Sequence, residues 1–487
     1  MPTAKTDCRL GEPLKFGNSK RRQPLGFGQL DGRSVEADFS GGAITSDAGL
    51  LLVKQVDRRF GITEKFARCF EDRRVAKRVE HPVKKMVAQR TYALIQGYED
   101  LNDHDQLRHD PMFGVAIDKL SSQNSRCAPL AGKSTLNRLE LGASRKEAKE
   151  GDDRYVKVVA DLKAMEQVFV DLFFELMGDS PRRLILDLDV TDDPTHGSQE
   201  LSAFNGYYRC DCYAPLYVFC GNQLLSAKLR ASDVDPAAGA LDELQRLVPL
   251  LRQRWPGIEI LVRGDSAYSR DDIMSWCEQN GVDYIFGYAS NSRLRLMTHR
   301  LEVKAQENYE YYQEVDPSYE PPPLYRTVYY RTLHSWKAFR RLVCQLSYDK
   351  HGVHRRFVVT SIKASKVAPR KLYTELYVKR GEMENRLKEQ QLGLFADRTS
   401  SHGFESNQLR LYWSSLAYVL MQAMRQTVLV KTEMAKAQVW TIRNRLLKLG
   451  AQVRVSVRRV HVAICSHTPV RELFNVVHQR LMAAETG

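Results

Sequence analysis

The chain has 487 residues, 43% of them hydrophobic, enough for a large core and about two to four domains. Lys and Arg outnumber Asp and Glu by 73 to 59, and the formal charge of +14 favours a polyanionic partner, nucleic acid ahead of a membrane surface. No apolar run reaches the ~18 residues of a membrane span, the N-terminus lacks the apolar core of a secretion signal, and nine scattered cysteines argue against a secreted disulfide scaffold.

Residues 1–40 are rich in Gly, Lys and Arg with little periodicity, which predicts a flexible basic arm. Residues 41–178 carry helical patterns and form a candidate DNA-binding domain. Within them "HPVKKMVAQRTYALIQGYEDL" repeats apolar positions at helix spacing (Val83, Met86, Val87, Tyr92, Leu94, Ile95) and stops near Gly97. "KSTLNRLELG" adds a short Ser-capped helix. Short basic helices suit a major groove, although a plain helical core explains them equally well.

The character changes at 179–289. "LILDLD" reads as a strand, and "YAPLYVFC" with "QLLSAKLR" as a hairpin turning at Gly221-Asn222. Asp235-Pro236 opens an amphipathic helix running to about Arg254. "IEILVRGD" is another strand, Ser269 and Asp272 resemble a capping box for "RDDIMSWCEQ", and "VDYIFG" is a further strand. Three strands able to pair antiparallel, then helix, strand, helix, strand, predict an α/β mixed sheet flanked by helices. Cys210 and Cys212, with no second pair to complete a zinc site, are expected as sheet residues.

Residues 290–368 break the alternation and read as a β-rich insertion, with a hairpin around Asp349 to Gly352. Helices return at 369–425. Residues 426–487 form a basic C-terminal region, where "QVRVSVRRV" alternates as one strand with Arg454 and Arg458 on one face.

The acids carry the chemistry. "LILDLDVTDD" delivers Asp187, Asp189, Asp192 and Asp193 within seven positions. Alternation puts Ile185, Asp187 and Asp189 on one face and Leu184, Leu186 and Leu188 on the other. Strand-end acids commonly only cap a turn, here the one before Pro194. Asp265, however, repeats the arrangement at the end of "IEILV", and ligands of open sheets gather beyond the carboxyl ends of strands. Acids converging there, on a protein suited to polyanions, call for a divalent cation: Mg²⁺ takes oxygen ligands, and two ions ~4 Å apart serve phosphodiester displacement. A third carboxylate comes from the helix near 375–391. At about 100° per residue, Tyr377, Arg380, Glu384, Lys388 and Gln391 share an arc of roughly 80°, beside the apolar arc of Leu372, Leu376, Met383 and Leu387. Arg380 and Lys388 are placed to grip phosphates.

Together these residues resemble a DDE transposase of bacterial insertion sequences, with a ribonuclease H-like core. The first acid matches at Asp189, through Asp-x-Thr with Thr191; Asp187 is the alternative carboxylate. The second matches at Asp265 in "VRGDSAY". The third is Glu384 in Tyr-x2-Arg-x3-Glu, read as Tyr377, Arg380 and Glu384. The closing lysine of that signature is replaced by Gln391, with Lys388 one turn earlier. "GYEDLNDHDQLRHDPMF" and "DRTSSHGFESNQLRLYWSSLAYVL" extend the resemblance over nearly the whole chain.

The resemblance implies cut-and-paste transposition with two Mg²⁺ (or Mn²⁺) ions held by Asp189, Asp265 and Glu384. Double-stranded DNA, as terminal inverted repeats and target, would be the partner, and a homodimer would form the synaptic complex. Tyr377, Arg380 and Lys388 would contact DNA, and Trp336 would hold a flipped base. The implied location is the bacterial cytoplasm at the nucleoid. The rival readings are a DNA-binding protein without chemistry and a metal-dependent nuclease without strand transfer.

Overall fold

The structure, a computed structural model, describes residues 24–123, 127–142 and 157–483. Its centre is an eight-stranded sheet whose strands, in chain order, are β1 (Arg183–Val190), β2 (Leu216–Cys220), β3 (Gln223–Lys228), β4 (Glu259–Gly264), β5 (Asp283–Tyr288), β6 (Leu324–Tyr330), β7 (Arg340–Asp349) and β8 (Gly352–Thr360). Their spatial order is β3-β2-β1-β4-β5-β8-β7-β6. β1, β2 and β3 pair antiparallel, β4 and β5 run parallel to β1, and β8 returns antiparallel to β5. The mixed sheet expected from the pattern is present.

Alternation along β1 decides what each face meets. Leu184, Leu186 and Leu188 enter an apolar cluster with Leu244, Leu247 and Leu251 of helix α1 (Ala240–Arg254) and with Ile273, Met274 and Cys277 of α2 (Asp271–Gln279). The opposite face is covered by a continuous helical run over 369–393, α3, and by α4 (Phe404–Thr427). Leu372 and Tyr373 of α3 pack on Leu261, Ile285, Val343 and Val358, while Met383 and Leu387 join the cluster holding Tyr217 and Phe219. The expected apolar arc of α3 therefore docks on the sheet. α4 is buried along nearly its entire length, as its composition suggested.

Several elements differ from expectation. The stretch 290–368 opens with a 24-residue helix, Ser292–Val315, where strands alone were expected; its three strands, with the hairpin at Asp349–Gly352, prolong the central sheet. Period-2 patterning identifies a strand but not its neighbour. The predicted helix start at Asp235-Pro236 is a turn, in which Asp235 Oδ1 accepts the Ala237 N–H, and α1 begins only after Gly239 at φ +74°. The capping box does not form either, since Arg270 occupies the N-cap and its side chain makes no cap bond. Residues 25–37 of the expected arm form a hairpin, Leu25–Leu30 with Arg33–Ala37, turning at Asp31-Gly32, both with positive φ; the remainder of the arm, 1–23, lies outside the described residues. The predicted strand "QVRVSVRRV" is also a hairpin, Ala451–Val455 with Val460–Ile464, its turn closed by the Arg459 N–H donating to Ser456 Oγ at 3.1 Å.

The N-terminal helices share one core with α4 and the C-terminal elements: Val53, Phe66, Val87 and Phe169 lie in the same cluster as Trp413, Leu447 and Leu481. No helix among the described residues is long and apolar enough to cross a membrane.

Candidate active site

The carboxyl ends of β1 and β4 lie side by side because these strands are parallel neighbours, with Arg263 in register with Asp187. That register carries Asp189 and Asp265 beyond the last residues paired between β1 and β4, while Asp189 still pairs with Tyr217 of β2. α3 crosses the same edge and adds the third acid. Asp189, Asp265 and Glu384 line one cavity of about 760 Å³, together with Arg380, Lys388 and Gln391. Segments 76 and 119 residues apart in sequence thus meet at one place.

Each acid is held differently. The side chain of Asp189 is 14% exposed; one oxygen accepts its neighbour's Val190 N–H at 3.0 Å and the other lies 3.3 Å from Arg380 Nη1. Burial pushes its carboxyl up to about 6, the nearby charges of Asp265 and Glu384 push the same way, and the Arg380 guanidinium opposes them. Asp265 caps the turn Ser266–Tyr268 by accepting the Ala267 N–H at 2.9 Å. Glu384 is exposed on the segment Gly381–Lys388 of α3.

Asp187 belongs to the scaffold. It is 3% exposed, and both its oxygens are taken by Arg263, at 2.6 and 2.7 Å from Nε and Nη2. Arg263 Nη1 reaches the Leu376 carbonyl at 2.6 Å, so this pair ties β1 and β4 to α3. The alternative carboxylate of the first motif therefore has no free oxygen for a ligand and does not line the cavity.

Four of the five polar arc residues of α3 line the main cavity. The fifth, Tyr377, lines an adjoining cavity of about 500 Å³ that shares Asp265, Arg380 and Glu384 and is bounded by Arg355 and Arg356 of β8. A Cβ at Gly287 would stand 2.8 Å from the Tyr377 hydroxyl, so glycine there is what lets Tyr377 press onto β5. Gln391, at the signature's lysine position, donates to Thr191 Oγ1 at 3.0 Å and to the Asp192 carbonyl at 2.7 Å, and so locks α3 to the end of β1. Lys388 is exposed on the cavity wall.

Two expectations fail here. Trp336 is 5% exposed and enclosed by Tyr288 at 4.9 Å, Tyr330 at 5.9 Å and Arg340, so its ring has no face free for a base. Asp193 does not cap a solvated turn: it is 1% exposed on the strand Asp193–Pro194, and burial pushes its carboxyl up to about 8. Cys210 and Cys212 stand on a strand, as expected.

Sequence reasoning passed over Tyr207, Tyr208, Arg230 and Tyr268, all of which line the main cavity. The aromatic pair in "FNGYYRC" and the tyrosine in "GDSAY" were visible, but nothing local ties them to the acids. All carboxylate donors in the cavity are oxygens, which suits a hard divalent cation. Among the described residues, no group of three or more His, Cys, Asp or Glu stands close enough to hold an ion as arranged.

In comparison with known proteins, residues 27–486 match the family described as transposase DDE domain group 1. Among solved structures, the chain is similar to piggyBac transposase in its cryo-EM synaptic complex with hairpin DNA, at 10% identity and a TM-score of 0.40, over 91% of this chain and 82% of that one. A comparison with curated proteins finds no match. With a family match over nearly its entire length, and with acids from three separate segments lining one cavity, the chain belongs to the DDE transposases of group 1.

Proposed function

We propose that the protein binds the terminal inverted repeats of its own mobile element and carries out metal-dependent strand cleavage and strand transfer into target DNA, by cut-and-paste transposition. The observation that carries this reading is the meeting of Asp189, Asp265 and Glu384 in one cavity, with Arg380 and Lys388 beside them. The three antiparallel and two parallel strands that deliver the first two acids support a ribonuclease H-like core.

Asp189, Asp265 and Glu384, which line one cavity, would hold the divalent ions, Mg²⁺ or Mn²⁺. The chemistry such an ion pair supplies when bound is a water of lowered pKa and neutralisation of the leaving oxygen. Arg380 offsets the repulsion among the acids by pairing with Asp189, and it can turn to a phosphate when that charge is met elsewhere. Lys388 stands about one helical turn beyond Glu384, as Arg380 stands one turn before it, and extends the cationic wall. Tyr377, pressed onto β5, flanks the same acids from the adjoining cavity. Synapsis of two DNA ends calls for a homodimer, and the basic surface for binding that weakens with salt. A place at the bacterial nucleoid follows from the same activity.

The test is an Mg²⁺-dependent cleavage assay on the DNA flanking the reading frame. Wild type is expected to nick at the element ends and to give joined strands, which separates transposition from hydrolysis alone. Asp189→Asn, Asp265→Asn and Glu384→Gln should each abolish cleavage while DNA binding persists. Wild-type cutting by all three variants would overturn the proposal.

A further inference from the structure

The helix Ser292–Val315 packs on β6 and β7 and uses only one of its faces to do so. Leu294, Thr298 and Ala305 are buried at helix spacing, Leu301 joins the same cluster, and Tyr309 meets Tyr348 of β7 at 5.4 Å. The opposite face carries Leu296, Arg300, Val303, Glu307, Tyr311 and Glu314, all exposed. They recur every three or four residues and so form one stripe along the helix. Its apolar members are open to solvent, Leu296 at 79% and Tyr311 at 59%.

The charges of this helix are segregated along its length. Arg293, Arg295, Arg300 and Lys304 occupy the first half with one acid, Glu302, which pairs with Arg355 of β8. Glu307, Glu310 and Glu314 occupy the second half, Asp316 and Glu320 follow, and no Lys or Arg stands between 305 and 325. This order runs against the helix macrodipole, which favours anions at the N-terminus and cations at the C-terminus. It also sets like charges one turn apart, Arg300 beside Lys304 and Glu310 beside Glu314, which weakens a helix standing alone. Arg300, Glu307 and Glu314 have no ion-pair partner among the described residues. A polyanion drawn to the first half of the stripe is repelled by the second.

A second copy of the same helix, laid antiparallel, answers both halves at once. With a two-fold axis between Val303 and Lys304, Arg300 stands opposite the partner's Glu307, Arg293 opposite the partner's Glu314, and Leu296 opposite the partner's Tyr311. Each pair occurs twice, because an isologous interface repeats every contact. The paired stretch from Leu296 to Tyr311 is about 22 Å long, and the spacing of three and four residues suits helices crossing at a shallow angle.

We propose that the outward face of the helix Ser292–Val315 is a self-complementary surface that joins two copies of this chain, helix against antiparallel helix, before DNA binds. The inference deepens the homodimer of the proposed function, and for its purpose rests on the reading of the protein as one that holds two DNA ends. One helix from each copy makes a small interface, so the dimer forms in the micromolar range.

The test is sedimentation equilibrium of the full chain without DNA, in EDTA and about 0.1 M salt, at about 1–50 μM protein. Wild type should show a monomer–dimer equilibrium that weakens as salt rises. Arg300→Glu and Glu307→Arg each set two like-charge pairs across the axis and should weaken the dimer at least about tenfold. Both positions are exposed and unpaired among the described residues, so Tm should not change. An equimolar mixture of the two variants restores both opposite-charge pairs, as does the chain carrying both substitutions, and each should dimerise as wild type does. A wild type that stays monomeric over this range overturns the surface. So does a dimer indifferent to both single substitutions, or one that neither the mixture nor the double variant restores. Should the face instead track DNA, Arg300→Glu would weaken and Glu307→Arg strengthen DNA binding without self-association, which also refutes it. Loss of cleavage in the triad variants alongside a monomeric wild type refutes the surface alone. Dimers that obey the charge exchange alongside triad variants that still cut refute the cleavage chemistry alone.

Discussion

Asp189→Asn should stabilise the protein while abolishing cleavage, and the size of the gain follows from the site. Burial raises the Asp189 carboxyl from an ordinary 3.8 to about 6, despite the Arg380 guanidinium 3.3 Å away. At about 1.36 kcal/mol per unit, ionising this group in the folded state costs about 3 kcal/mol relative to the unfolded chain. The folded pKa lies above the unfolded one, so the favourable contribution is complete below pH ~4 and is lost as pH rises through ~6. Asparagine keeps an oxygen for the Val190 N–H and carries no charge to desolvate. The variant should therefore match wild type near pH 4 and exceed it by about 3 kcal/mol above pH 7 in metal-free buffer. For 487 residues unfolding as one unit, that is a rise in Tm of about 3 °C. The assay is calorimetry at several pH values in EDTA, repeated with Mg²⁺, which should raise the wild-type Tm and leave the variant's unchanged. Equal stability of the two proteins across pH 4–8 would refute the argument that a desolvated acid waits here for a cation.

The neighbouring acid should behave in the opposite way. Asp187→Ala strands the buried Arg263 without its partner and should cost about 3–5 kcal/mol in urea denaturation. Trp336→Ala should likewise destabilise by about 3–5 kcal/mol in urea denaturation, through the cavity left among Tyr288, Tyr330 and Arg340. The hairpin Ala451–Val455/Val460–Ile464 exposes Arg454, Arg458 and Arg459 with no acid among residues 451–464. A two-stranded ribbon fits a major groove, so replacing all three arginines by alanine should lower the slope of log affinity against log salt by up to about 3, read by anisotropy from low to moderate salt.

What was legible in the sequence is what local repetition and charge encode. The period-2 run in "LILDLD", the acid closing "IEILVRGD" and the arc of Arg380, Glu384, Lys388 and Gln391 each depend on a few adjacent residues, and each holds in the fold. The strands of 290–368 were recognisable as strands, yet their joining to β5 was not, because a pleat carries no label for its partner. Only packing separated Asp187 from Asp189: two acids two residues apart on one face differ because Arg263, 76 residues further on, stands beside one of them. Trp336 lost its expected access to a base for the same reason, since burial belongs to the assembled chain. Arg230 and Tyr268, which follow β3 and β4, came to line one cavity only once the sheet had assembled. Sequence alone determined which residues carry the charge and on what kind of element; the tertiary structure decided which of those charges have partners, because a partner is set by distance in space and not by distance along the chain.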